Sequence, residues 1–217
     1  SEKNNKKMII SALAFIITSF NGKQRFFIYI GFCQFYMILH KGHRGFVYKI
    51  FHFAVKVERK GSHALNRIKN EGYWLRKLNK YNIGPRCYFS GEKVLISQFV
   101  KGEKILDYFK HASDKEKQKI VEEVFRQCRE LDKLHVNKLE MQHPVKHIIV
   151  GKQVIMIDFE RCKYSRNPKN VTQFAQFLPK LGIPVGRDWL RERLRAYKQD
   201  YSEGNYQKIV DGIIYKW

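Results

Sequence analysis

The stretch His143–Cys162, HPVKHIIVGKQVIMIDFERC, decides how the chain is read. Two apolar runs, Ile148–Val150 and Val154–Ile157, flank Gly151–Lys152–Gln153, and this spacing predicts a buried hairpin with a glycine-containing turn. Lys146 and His147 enter the first strand and Asp158 leaves the second, so pairing gathers all three at one end of the ladder. A cation, an imidazole and a carboxylate at the end of an apolar ribbon suit a site for metal and phosphate. A core hairpin with ordinary polar ends accounts for the same residues equally well.

With 217 residues, 44% of them hydrophobic, the chain can bury one core or two small lobes around a cleft. Lys and Arg number 42 against 20 acidic residues, a formal charge of +22. That excess draws polyanions (RNA, DNA, nucleotides or an anionic membrane surface), and a generally lysine-rich background would produce it too. Cys33, Cys87, Cys128 and Cys162 are scattered, with no CxxC spacing, so reduced thiols and a cytoplasmic location are expected. His135, His143 and His147 lack a matching cysteine and straddle a helix end and a loop, which argues against a zinc set.

Taken in order, the polar start Ser1–Lys7 precedes two apolar runs, Met8–Phe20 and Phe26–Leu39. Each is shorter than the roughly 20 residues a spanning helix needs, and no small-residue cleavage site follows the first. Asn21–Gly22 between them is a hairpin signal, so strands are expected rather than a membrane segment. Gly42 and Gly45 stand just before Val47, in a turn where backbone N–H groups approach phosphates closely. The next strand, FAVKVE at Phe53–Glu58, carries Lys56 in an apolar run; such a lysine takes an anionic partner or snorkels from an edge.

A helix is expected from Ser62 to Lys80, with Leu65, Ile68, Trp74, Leu75 and Leu78 on its apolar face. Glu71 lies on that side and is the natural partner for Lys56, although any single helix Glu is ordinarily solvated. Val94–Val100 reads as a strand, followed by a polar connector, KGEK. A long helix is predicted over Asp114–His135, another from Thr172 to the break at Leu181–Pro184, and a basic one over Arg187–Tyr201. Arg191, Arg193, Arg195 and Lys198 on the last form a solvated face or an RNA-contacting one.

Strand, Gly turn, strand with Lys, helix with Glu, strand and connector, long helix, polar loop, hairpin ending in Asp: this order resembles the protein-kinase-like fold. His40, Gly42, Gly45 and Val47 look like its Gly-rich loop, with His40 in place of the first glycine. Ala54–Lys56 resembles the lysine motif of strand three, and Glu71 its helix partner. ISQFVKGE resembles strand five and the hinge, which implies that Gln98–Val100 offers backbone groups to adenine. IDFE at Ile157–Glu160 looks like the metal-binding DFG motif, with Asp158 the ligand and Glu160 in place of glycine. The resemblance implies an α+β, bilobal architecture: an extension at 1–38, a β-rich lobe at 39–100 and a reduced helical lobe at 101–217 without a full activation segment.

The short segment after Asp158 is most similar to RIO-type kinases and the kinase subunit of the KEOPS complex, which are basic and RNA-associated and frequent in archaea; it also echoes lipopolysaccharide-core sugar kinases. These imply ATP and Mg²⁺ or Mn²⁺ as cofactors, a serine/threonine-protein kinase or ATPase activity, and contact with RNA or a ribonucleoprotein; membrane contact is not expected. The catalytic loop departs from the pattern. His147 occupies the Asn position and Gln142 the place of the catalytic Asp in ungapped register. The base is then Glu140, if the loop is longer, or His143. Lys146 would neutralise charge near the γ-phosphate, and His147 with Asp158 would hold the metal. A nucleotide-binding pseudokinase and a small-molecule kinase fit the same departures.

Overall fold

Alternation along β3, Phe53–Glu58, sets one face of the sheet against the other. Phe53, Val55 and Val57 are buried on one side, while Ala54, Lys56 and Glu58 are half-buried on the opposite side. The computed structural model describes residues 37–41, 45–58 and 66–214. Its larger sheet is antiparallel, in the order β1-β2-β3-β5-β4, from β1 Met37–Lys41, β2 Gly45–Ile50, β4 Cys87–Ser90 and β5 Val94–Gln98. Register places Lys56 between Val47 of β2 and Leu95 of β5, in the middle of the sheet. The strands expected within residues 8–36, as well as Gly42 and Leu65, lie outside the described residues.

Helix α1, Arg67–Leu78, lies against this sheet because Ile68, Glu71, Trp74, Leu75 and Leu78 recur along one face and are buried. Contact with β4 is close at Gly72, where a Cβ would sit 1.8 Å from Ser90 Oγ, so only glycine permits this approach. The helix begins later than Ser62, after Asn66 with φ of 66°, and passes at Leu78 into a 3₁₀ turn, Asn79–Tyr81. Strand β5 ends at Gln98 rather than Val100. KGEK is not merely a connector: β6, Glu103–Lys104, pairs with the hairpin strand β8, Ile148–Val150, which pairs in turn with β9, Val154–Met156. Gly102, at φ 154°, makes that approach possible, since a Cβ there would meet the Val150 carbonyl oxygen at 2.2 Å.

The remainder is helical: α2 Ile105–Tyr108, α3 Asp114–Lys133, α4 Asn170–Phe177, α5 Arg187–Asp200 and α6 Glu203–Ile214. Helix α3 starts in a capping box, Ser113 accepting from the Glu116 N–H while the Glu116 carboxylate accepts from Ser113. It stops before His135, which takes φ of 55° and cannot continue a helix. The chain then pairs β7, Val136–Asn137, with β10, Lys163–Tyr164. One core runs from α1 through α3 and the hairpin to α6, with Leu75, Phe125, Phe159 and Phe174 fully enclosed. No described helix is long and apolar enough to cross a membrane.

Inside this core sits a carboxylate. Asp132, 3% exposed, accepts from the Asn170 N–H and side-chain amide at 3.0 and 2.7 Å, from the Val171 N–H at 3.3 Å and from the Tyr197 hydroxyl at 2.9 Å. Asn170 then accepts from the Lys138 backbone N–H at 2.9 Å, so Asp132 anchors the loop that follows β7. Asp132→Ala would strand these donors and is expected to cost ~3–5 kcal/mol in denaturant unfolding. A loss under about 1 kcal/mol would show that the anchor is dispensable.

Candidate active site

Each candidate group comes from a different element, and polar contacts tie the elements together. From β3, Lys56 Nζ donates to both carboxylate oxygens of Glu71 on α1, at 2.7 and 2.8 Å. Burial pushes the Lys56 pKa down, but Glu71, and behind it Asp158 and Glu160, outweigh that and hold it above the usual lysine value. Arg67, one turn before Glu71, pairs with Glu160 at 2.8 Å, and Asn70 donates to the Glu160 and Cys162 carbonyls at 2.7 and 3.2 Å. Helix α1 therefore grips the segment after Asp158 from one side. Burial and then the Asp158 charge raise the Glu160 pKa, with Arg67 opposing.

The other side is gripped by Lys138, whose side chain is fully enclosed. Its Nζ donates to the Ile157 carbonyl at 2.9 Å and to the Asp158 carbonyl, and lies 3.3 Å from Glu140 Oε2 and 4.6 Å from the Phe159 ring centre. Asp158 is held at φ of 66°, an uncommon conformation for a residue with a side chain. His147, after the 3₁₀ turn Pro144–Lys146, puts Nδ1 at 3.5 Å from Asp158 Oδ2. Burial first, and the Lys138 cation second, lower the His147 pKa, so its imidazole is neutral at pH 7.

Six buried side-chain atoms find no hydrogen-bond partner among the described residues, and three of them, Glu140 Oε1, His147 Nδ1 and Asp158 Oδ1, belong to this cluster; the others are Trp74 Nε1, Gln127 Oε1 and Gln173 Oε1. Buried polar atoms are nearly always satisfied, so three orphans gathered in one cluster of titratable groups make this a candidate place for a ligand. Oxygen donors with one neutral imidazole fit a divalent ion that takes its other ligands from nucleotide phosphates. Among the described residues no group of three or more His, Cys, Asp or Glu could enclose a metal unaided.

The remaining expected residues are distributed unevenly. Glu140, on the 3₁₀ turn Leu139–Gln142, is buried and belongs to the cluster, with Arg161 Nε 3.9 Å from its Oε1. His143 and Lys146 are exposed, and His143 Nδ1 lies 3.5 Å from Lys180 Nζ. Gly45 opens β2 opposite Glu58, while Val47 and Ala54 are half-buried strand residues. Gln98 and Val100 are half-buried where the sheet gives way to the helical part, and the Phe99 N–H donates to the His52 carbonyl at 2.8 Å.

Sequence reasoning missed Lys138, Asn70, Arg67 and the Asp132–Asn170 pair. A signal existed for Asp132, a charge four residues after Cys128 on the apolar face of α3. A loop lysine such as Lys138 carries none, because solvated lysines look identical in sequence. Cys162 is inert by environment: burial pushes its thiol up to about 12.

No family model matches the sequence, and no curated protein matches it. Among solved structures the chain is similar to the streptomycin–ATP–APH(2″)-IIa ternary complex, an aminoglycoside phosphotransferase, with a TM-score of 0.51 and 14% identity. The match covers 83% of this chain and 82% of that one. The likeness is one of fold: this chain has a protein-kinase-like architecture, an antiparallel sheet with a helical part.

Two outcomes follow from this geometry. Lys138→Met leaves Glu140 and two carbonyls without their cation and should cost ~3–5 kcal/mol in urea unfolding; an unchanged midpoint would rule out Lys138 as the clamp. In peptide mapping after brief alkylation at pH 8, Cys162 should stay unmodified until the protein is denatured.

Proposed function

We propose that this chain is an ATP-dependent phosphotransferase that moves the γ-phosphoryl group to an acceptor hydroxyl. The observation that carries the reading is the Lys56–Glu71 ion pair standing beside the orphaned atoms of Glu140, His147 and Asp158. Lys56, oriented by Glu71, meets the α- and β-phosphates. The N-terminal backbone of β2 at Gly45 covers them, and the backbone at Gln98–Val100 receives the adenine. Asp158 and His147 would hold Mg²⁺ or Mn²⁺, which when bound neutralises charge on the transferring group. Glu140 is the preferred base, since its Oε1 is buried without a hydrogen bond, with Arg161 Nε 3.9 Å away, while its Oε2 is fixed by Lys138. His143 and Lys146, both exposed, are left to contact the acceptor.

The acceptor is a serine or threonine hydroxyl of a protein, or the hydroxyl of a small molecule. The RIO- and KEOPS-like branch rests on the sequence motifs alone, because the similar solved structure is an aminoglycoside phosphotransferase. A nucleotide-binding switch without transfer is the second reading, and Gln142, exposed where such enzymes carry an aspartate, is what favours it.

Turnover of γ-labelled ATP decides between them. Wild type should release or transfer labelled phosphate only with a divalent ion, with Mn²⁺ at least matching Mg²⁺ because of the imidazole donor. Lys56→Ala and Asp158→Ala should each lose roughly 10²-fold or more while melting as cooperatively as wild type. Equal residual turnover in wild type and Asp158→Ala would remove the metal site. Metal-dependent nucleotide binding without turnover would establish the switch.

A further inference from the structure

Helix α1 has a second face, turned away from Glu71. Lys69, Tyr73, Arg76 and Lys80 recur at spacings of four, three and four, a single stripe that continues into the 3₁₀ turn. All four are exposed. The stripe forms one wall of a groove of about 710 Å³, closed on the other side by the β4–β5 turn at Ser90–Glu92. Arg76 also lines a second cleft of about 920 Å³, where Arg86 and Arg126 join it. Arg76, which donates to the Ser90 carbonyl at 2.9 Å, thus lines both hollows, and the two together form one basic track.

Charge and rings coincide along this track. Four cations, Lys69, Arg76, Lys77 and Lys80, face one carboxylate in the first groove, Glu92, which is 80% exposed and 3.7 Å from Lys69. Glu123 in the second cleft is held in two hydrogen bonds of 2.7 Å by Arg126. Tyr73 lines the first groove at 49% exposure, and Tyr81 and Tyr164, 40% and 52% exposed, stand near its Lys77. The Tyr73 and Tyr164 hydroxyls meet at 3.0 Å, and Lys77 sits 4.7 Å over the Tyr164 ring. Rings ordered in advance lose little freedom when something stacks on them.

We infer that this track binds single-stranded RNA, with the lysines and arginines following the phosphates and the tyrosines stacking unpaired bases. A duplex presents phosphates but no free base faces, and a lipid surface does not fill a concave groove. An acidic polypeptide would match the charge but leave the ring faces unused. The proposal concerns a face of α1 opposite the Lys56–Glu71 pair, and it stands or falls independently of phosphoryl transfer.

The test is fluorescence anisotropy of the full chain with a labelled oligouridine of about 12 nucleotides. It is compared with the same length of single-stranded DNA and of RNA duplex, between about 50 and 200 mM salt. Single-stranded RNA should bind at least about tenfold tighter than the duplex. Lys69→Ala with Lys80→Ala should reduce the slope of log affinity against log salt by about 1.4, two phosphates' worth. Tyr81→Ala and Tyr73→Ala should each weaken binding roughly tenfold at an unchanged slope. Arg191→Ala with Arg195→Ala, on exposed positions of α5, should leave the slope where it was. Absence of binding at the lower salt overturns the proposal, as does binding that ignores the α1 variants. Equal or tighter binding to the duplex, to single-stranded DNA, to anionic phosphatidylserine vesicles or to polyglutamate overturns it as well.

Discussion

A fully enclosed ammonium group is tolerated only where acceptors surround it, and Lys138 meets that condition with the two carbonyls that bracket Asp158, the Glu140 carboxylate and the face of Phe159. The desolvation cost of the lysine is offset only if all of these stay in place. One cation therefore fixes the unusual backbone turn at Asp158, the direction of Glu140 and the lid of the apolar core at Phe159 together. Its own backbone is held by Asn170, and Asn170 by Asp132, so the loop is anchored to the helical core at both its main chain and its side chain.

From the opposite side, α1 does the corresponding work. Its inward carboxylate, Glu71, orients Lys56, while Arg67 and Asn70 hold the chain at Glu160 and Cys162. The segment after Asp158 thus needs no length to be ordered; a few residues are clamped between α1 and the β7–β10 pair. The same helix carries basic and aromatic side chains outward. Its two faces follow from a 3.6-residue period, apolar and carboxylate positions on one side, lysines and tyrosines on the other.

Much of this plan was legible in the amino-acid order. Alternation in Phe53–Glu58 and the apolar runs around Gly151 identified β3 and the β8–β9 hairpin, and the helical period of Glu71 with Trp74 and Leu75 pointed that carboxylate inward. Other features resisted reading for definite reasons. β6 is a two-residue strand whose only warrant is its partner β8. Helix α6 has an apolar face that means something only once α3 and α5 are beside it. The end of β5 at Gln98 is set by the chain's exit toward β6, not by composition.

By itself, the sequence determined which residues alternate, which recur at helical spacing and which charges sit among apolar neighbours, because these are local properties of the chain. That was enough to bring Lys56 to Glu71 and His147 to Asp158, whose partners lie on elements of legible period. It could not distinguish Glu140 from His143, or Lys138 from Lys146, since paired residues of like chemistry on one loop differ only in where the backbone turns them. Tertiary packing decided that Glu140 and Lys138 go in and His143 and Lys146 stay out. The physical reason is desolvation: a charge is buried only where partners compensate it, and those of the Lys138 ammonium at Ile157 and Asp158 come from a segment farther along the chain.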